Sequence, residues 1–245
     1  MRWLLLVFLA VVAVACGDAH RTPSKPVKSA TPEQLHAVAE KPAKSRTAQC
    51  LDSLGYENIA ERDTSIAIDL MYARADNFVG RVLYADLREA YLHPMAMECL
   101  LKAQRLLREK HPEYRLIVYD AARPMSVQQQ MWDVVKGSSK SRYVSNPAHG
   151  GGLHNYGLAV DISIADSLGR PLPMGTAVDH LGSEAGITHE AALVEQGKIT
   201  AQERANRQLL RSVMTEAGFH PLPSEWWHFN YCSRKEAKKR FKPIP

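Results

Sequence analysis

The chain has 245 residues, 45% of them hydrophobic, and a formal net charge of +5. That length and apolar content suit one domain with a sizeable core, and no internal repeat is visible. Much of the positive charge sits at Lys235, Lys238, Lys239, Arg240 and Lys242 with no nucleic-acid-binding motif around it, so it reads as a solvated tail and no nucleic-acid partner is expected.

Arg2 precedes an uncharged run from Trp3 to Ala15. The run is too short to span a bilayer comfortably, and it has the charged start, apolar middle and small-residue end of an export signal. Residues 1–15 therefore read as a signal peptide. Ala13-Val14-Ala15-Cys16-Gly17 resembles a bacterial lipobox with Cys16 as the lipidated residue; plain cleavage near Ala15 is the alternative. The expected location is the periplasm or cell envelope, with the membrane touched only through a lipid anchor at Cys16. Residues 16–47, rich in Lys, Ala, Pro, Ser and Thr, read as a flexible tether. Residues 48–245 are expected to form the folded domain. Cys50, Cys99 and Cys232 lack a C-x-x-C spacing. An exported chain is able to hold one disulfide, and the sequence does not say which pair would form it. Cys99 lies in an apolar helical stretch and reads equally as a small core residue.

Ser65 to Ala73 alternates Ile66, Ile68 and Leu70 and reads as a strand. His93 to His111 places Leu100, Leu101, Ala103, Leu106 and Leu107 at helical spacing, with Pro94 at a first helical position. Tyr114 to Ala121 reads as a strand. Ser126 reads as the N-cap of a helix carrying Val127, Met131, Val134 and Val135 and closed by Gly137. Leu158, Val160, Ile162 and Ile164 alternate with Ala159, Asp161, Ser163 and Ala165, so a strand there puts Asp161 on the small-residue face. Pro171 to Ala191 reads either as loop walls of a pocket or as an ordinary surface connection. Thr200-x-x-Glu203 is a capping box for a helix ended by Gly218. Trp226 to Tyr231 reads as an aromatic-rich strand with His228 and Asn230 on one face. Helices and strands mixed without regular alternation indicate an α+β domain.

Two segments carry the chemistry: Gly152-Leu153-His154-Asn155-Tyr156-Gly157-Leu158-Ala159-Val160-Asp161, and Glu225-Trp226-Trp227-His228. They supply two histidines, an aspartate and a further carboxylate, the parts of a catalytic zinc site with one open position. Gly157 lets the chain bend so that His154 folds back toward Asp161, whose charge needs a partner if buried. Glu225 is three residues from His228, on the opposite face of a regular strand, so it is expected at a bend before the strand, helped by Pro221 and Pro223. Taken singly, each of these residues has a structural reading. His149 is the nearest rival ligand, but its glycine-rich loop is a poor platform.

The pattern H-x-x-G-x-A-x-D followed by E-W-W-H resembles the hedgehog-like zinc D-Ala-D-Ala metallopeptidases, and within them the D-alanyl-D-alanine dipeptidases of the vancomycin-resistance type. Tyr119-Asp120-Ala121-Ala122-Arg123-Pro124, Met174-Gly175-Thr176 and Asn206-Arg207-x-Leu209-Leu210 fit the same family over roughly residues 48–242. The resemblance implies a single hedgehog/DD-peptidase-like domain with a small antiparallel sheet flanked by helices. It implies one zinc per chain on His154, Asp161 and His228, with Glu225 as catalytic base. Arg123 is the candidate cation for the developing oxyanion; a salt bridge to Asp120 or a neighbouring acid is its alternative role. The family often has Ser two residues before the first histidine, and here that position is Gly152. The expected function is hydrolysis of the D-Ala-D-Ala dipeptide in wall turnover or recycling. The rivals are a zinc D,D-carboxypeptidase or endopeptidase acting on stem peptides, and a non-catalytic zinc- or wall-binding protein, which the presence of Glu225 disfavours.

Overall fold

The structure, a computed structural model, describes residues 43–245. The proposed signal peptide, the lipobox and most of the tether lie outside the described residues. The chain enters through helix α1 (Arg46–Ser53), capped by the Ser45 side chain, so the last residues of the span read as tether are helical. It continues through β1 (Glu57–Asn58), α2 (Ile59–Arg62) and β2 (Ala67–Ile68). The strand expected over Ser65 to Ala73 is thus only these two residues. A 3-10 turn over Met71–Ala73 follows it and turns Tyr72 into the core. After β3 (Tyr91–Leu92) comes α3 (Pro94–Lys110).

Helix α3 begins where its sequence says it must. His93 accepts the Met95 N–H on its ring, and Pro94 spends no amide in the first turn. Ala96, Met97, Leu100, Ala103 and Leu107 form its buried stripe. Gln104 is buried on the same stripe, and its side-chain oxygen accepts the Leu116 N–H at 2.8 Å. That bond ties α3 to β4 (Arg115–Asp120), the next strand.

Helix α4 spans Met125–Val135 with Pro124 as its N-cap. The expected cap, Ser126, is instead inside the first turn. Pro124, with φ -56° and ψ 146°, takes the cap position and makes no side-chain cap bond, so the helix starts earlier than Ser126 would set it. Gly137 follows the helix with φ 80°. A 3-10 turn over Leu153–Tyr156 leads into β5 (Ala159–Ala165), in which all seven residues are buried. Further on come α5 (Glu190–Glu195) and α6 (Ala201–Ala217), whose Thr200/Glu203 capping box and Gly218 terminus are as expected. β6 (His220–Leu222), β7 (Glu225–Asn230) and α7 (Arg234–Arg240) complete the chain.

The five-stranded sheet has the order β2-β4-β5-β7-β6; β2 and β4 are parallel and every other pair is antiparallel. β1 and β3 form a separate two-stranded sheet. Helices α3 and α6 pack on each other and against the strands. This is the α+β arrangement of a small, mostly antiparallel sheet flanked by helices. Cys50, Cys99 and Cys232 are all free thiols, so no disulfide joins the cysteines among the described residues.

Gly157 makes the turn between the 3-10 segment and β5. It sits at φ 61°, and a Cβ there would lie 2.4 Å from a ring carbon of Tyr56. Its carbonyl accepts the His93 N–H at 2.9 Å, which locks the bend to the start of α3. Gly157→Ala should therefore lower the free energy of unfolding by about 1–3 kcal/mol from backbone strain alone. Denaturant unfolding measures this; an unchanged midpoint would show that the bend does not need glycine.

Candidate active site

Three segments meet at the middle of the sheet. On β5, Asp161 stands directly opposite His228 of β7 in the strand register. The Gly157 bend brings His154 over the same point. His154 Nε2 lies 3.3 Å from Asp161 Oδ2 and 3.2 Å from His228 Nδ1, and His228 Nδ1 lies 2.9 Å from Asp161 Oδ1. His154 and Asp161 are buried. The six residues between them are spanned by one bend and the start of a strand, as the sequence suggested.

The surroundings decide which ring nitrogens are free. His154 Nδ1 is 2.8 Å from the Ala121 carbonyl oxygen. A carbonyl only accepts, so Nδ1 carries the proton and Nε2 keeps its lone pair. His228 Nε2 is 2.9 Å from the side-chain oxygen of Asn230, which leaves Nδ1 as the acceptor in the neutral ring. Two lone pairs and a carboxylate thus converge on one point, an arrangement that asks for positive charge. The protein's own answer is a proton: burial opposes the charged form of His228, but the Asp161 hydrogen bond and charge raise its pKa to about 9. Burial alone would raise the Asp161 carboxyl; the charges and hydrogen bonds of His154 and His228 hold it well below the usual carboxylate range.

A divalent cation fits the same demand better. The three donor atoms lie within 4.8 Å of one another. Ligands about 2.0–2.1 Å from a tetrahedral zinc stand roughly 3.3 Å apart. The His154 to His228 and His154 to Asp161 separations, 3.2 and 3.3 Å, match that spacing. Two imidazoles with outer hydrogen bonds and one carboxylate make a donor set suited to zinc. His149, the rival ligand, is exposed in a 3-10 turn and takes no part.

Glu225 is brought to the centre by a route the sequence did not predict. It is the first residue of β7, not a bend residue before it. The β6/β7 pairing slips between Pro221 and Leu222, so that Leu222 faces Glu225 where regular register would place a later residue. Extra residues on β7 make a bulge, which undoes the strict alternation and turns Glu225 and His228 to the same side. Glu225 Oε2 ends 4.0 Å from His228 Nδ1. Burial raises its pKa to about 7, with the Asp161 charge adding to the effect.

Arg123 follows β4 and is buried beside the cluster. Its Nε donates to Asp120 Oδ2 at 2.9 Å and its Nη1 to Gln128 Oε1 at 3.0 Å, and the guanidinium lies over the Tyr72 ring, 5.1 Å from the centroid. Arg123 is therefore paired with Asp120, and its Nη2 also lies 3.8 Å from Asp161 Oδ2. Asp120 also accepts from the Tyr84 hydroxyl. Its part as the anchor behind the cluster was not legible, because the sequence shows only an acid three residues from an arginine.

Arg123, His154, Asp161, Glu225 and His228 all line one cavity of about 850 Å³. Asp179 and Leu181 line it too, so the Pro171 to Ala191 segment forms a pocket wall. Asp179 is the one non-glycine residue at positive φ among the described residues, and it accepts a hydrogen bond from the Tyr72 hydroxyl. Burial, then the charge of Asp161, raises its pKa to about 7. Sequence reasoning missed it, since an aspartate in a long loop carries no pattern. Its support was visible as a motif. Asn206 donates to the Pro173 carbonyl at 2.8 Å, Arg207 to the Met174 and Glu184 carbonyls at 2.6 and 3.0 Å, and Trp226 Nε1 to Thr176 at 2.8 Å.

Residues 52–243 match the family model described as D-ala-D-ala dipeptidase. The chain is 32% identical over 164 residues to a D-alanyl-D-alanine dipeptidase of Escherichia coli, covering 67% of this chain and 78% of that one. It is 30% identical over 158 residues to a D-alanyl-D-alanine dipeptidase of Synechocystis, covering 53% and 64%. An Enterococcus faecium D-alanyl-D-alanine dipeptidase is 28% identical over 197 residues, covering 72% and 91%. A solved structure of the LdcB LD-carboxypeptidase aligns with 61% of this chain and 63% of its own at 19% identity, with a TM-score of 0.33 too low to inform the fold. With the family match spanning most of the chain and the E. coli relative at this level of identity, the chain belongs to the D-ala-D-ala dipeptidase family.

Proposed function

We propose that this protein is a zinc-dependent dipeptidase that hydrolyses D-Ala-D-Ala to two D-alanines. Family membership supports the reaction, and one observation carries the chemistry: His154, Asp161 and His228 each offer a ligand atom within 4.8 Å of the others, with Glu225 beside them. When bound, zinc would supply a Lewis acid that makes water nucleophilic near neutral pH. His154, Asp161 and His228 would hold it, with the Ala121 carbonyl and Asn230 fixing the two rings. Glu225, at a pKa near 7, is poised to take a proton from the attacking water and return it to the departing amine. Arg123 keeps a fixed positive charge at the cavity wall, where negative charge grows on the carbonyl oxygen. Asp179 offers a carboxyl to the substrate ammonium.

The size of the cavity favours a second reading. At about 850 Å³ it falls among clefts that take drug-sized ligands and exceeds what two alanines fill. A D,D-carboxypeptidase or endopeptidase acting on peptidoglycan stem peptides would use the same centre. A panel of D-Ala-D-Ala, L-Ala-L-Ala and a stem pentapeptide ending in D-Ala-D-Ala separates the two.

Purified protein should hold about one zinc per chain, and His154→Ala or His228→Ala should lose most of it, as read by elemental analysis. Full retention in both variants would remove the assignment. Glu225→Gln should keep zinc and fold while D-Ala-D-Ala hydrolysis falls by ~10²–10⁴. Near-normal turnover by that variant would refute Glu225 as the base; loss of zinc would make it a ligand.

Export and lipid anchoring at Cys16 complete the proposal, and the role that follows is turnover of wall-derived dipeptide outside the cytosol. The support is the apolar run that stops at Cys16. In an expressing bacterium, Cys16→Ser should move the protein from the membrane to the soluble fraction. A wild-type protein already soluble and without acyl mass would end the lipoprotein reading.

A further inference from the structure

The charges around the cavity are unevenly placed. Asp161, Asp179, Glu225 and Glu236 line it as acids, and Arg123, among its cations, is committed to Asp120. A dipeptide carries a carboxylate at its far end, and that group needs a cation with hydrogen bonds to give. Arg234, at the start of α7, lines the same cavity. It makes no salt bridge to any acid among the described residues; the nearest in sequence, Glu236, is taken by Arg240 at 2.6 Å. Its Nη2 donates to the Ser145 hydroxyl oxygen. Ser145 also lines the cavity.

Gly152 explains why Ser145 reaches this position. It lies two residues before His154 and also lines the cavity. A Cβ on Gly152 would come 3.0 Å from the Ser145 hydroxyl oxygen and 3.4 Å from its Cβ. The space that a side chain at 152 would claim is thus filled from the neighbouring segment by Ser145. A hydroxyl that accepts from an arginine keeps its own proton to donate. The remaining N–H groups of Arg234 and the Ser145 O–H therefore form a donor pair next to the first metal-ligand segment. A planar guanidinium matches a carboxylate in two parallel hydrogen bonds.

We propose that Arg234 and Ser145 receive the C-terminal carboxylate of the substrate, a hydroxyl and guanidinium pair made possible by the missing side chain at Gly152. The assignment rests on the dipeptidase reading. It makes the free carboxylate, rather than the D-alanyl side chain, the feature by which this end of the pocket selects. Substrates with a free C-terminus are taken and those capped by an amide are refused.

The test compares D-Ala-D-Ala with D-Ala-D-alaninamide on wild type, Arg234→Ala, Arg234→Lys and Ser145→Ala. Both substrates are run on the same zinc-loaded sample, so losses from misfolding cancel in the ratio of their kcat/KM values. Wild type should prefer the free acid. In Arg234→Ala the preference should shrink by about 10- to 100-fold, the value of a charge-assisted hydrogen bond, mainly through KM for the acid. Arg234→Lys should restore part of it, and Ser145→Ala should lose less than Arg234→Ala. An unchanged ratio in Arg234→Ala overturns the assignment, as does an equal loss on both substrates, which would make the pair a loop fastening. Those outcomes leave the dipeptidase reading standing, whereas no hydrolysis of D-Ala-D-Ala by wild type overturns both.

Discussion

A carboxylate buried at the centre of the sheet, Asp161, sets the terms for everything around it. A charge taken out of water is costly unless it is paired and hydrogen-bonded. The strand register answers part of that cost by placing His228 directly across from it. The Gly157 bend answers the rest by returning His154 to the same oxygen pair. The three residues come from a turn and two adjacent strands, so the fold has to be formed before the cluster exists. Once formed, the cluster holds β5 and β7 together through their side chains as well as their backbones.

A second layer fixes the first. Asp120 receives Arg123 and Tyr84, lies 3.5 Å from His154 Nδ1, and sits at the end of the strand paired with β5. The Arg123 backbone N–H donates to the His154 carbonyl at 2.9 Å, and Asn155 returns a bond to the Arg123 carbonyl at 2.8 Å. The ligand segment and the arginine segment are therefore one stitched unit. Ring orientation at a metal centre depends on such outer partners, and their loss typically weakens metal binding or activity. Arg123 is held by side-chain and backbone bonds at once, as the role proposed for it requires of a charge in place before the reaction begins.

Much of this was legible in the sequence where local physics is decisive. The α3 and α6 boundaries follow from Pro94, the Thr200/Glu203 box and Gly218, each acting within a single turn. The placement of Asp161 follows from period-two alternation, and the return of His154 from one glycine. The failures share a different cause. The bulge that carries Glu225 into β7 is a property of how β6 pairs with it, so no window on β7 alone reveals it. Ser126 has the chemistry of a cap, but Pro124 begins the helix first. Ile66, Ile68 and Leu70 alternate like a strand, yet only Ala67 and Ile68 find a partner in β4. Asp179 becomes important only because α6 holds its loop over the cavity, a contact between segments far apart in sequence.

The same division separates chemistry from selectivity in this molecule. The candidate metal ligands and the candidate base stand on the sheet or on the turn that feeds it, where backbone pairing fixes position. The walls that a substrate's ends would touch come from elsewhere: the Pro171 to Ala191 loop with Asp179, the Ser145 segment, and the start of α7 with Arg234. Loops tolerate change better than central strands. A catalytic centre so built is able to stay constant while the walls decide whether a dipeptide or a longer peptide fits. The motif residues therefore announce the reaction clearly and the substrate length hardly at all. Gly152 and Ser145 show the principle at the scale of one side chain, since a hydroxyl absent from the ligand segment is supplied by its neighbour without disturbing His154.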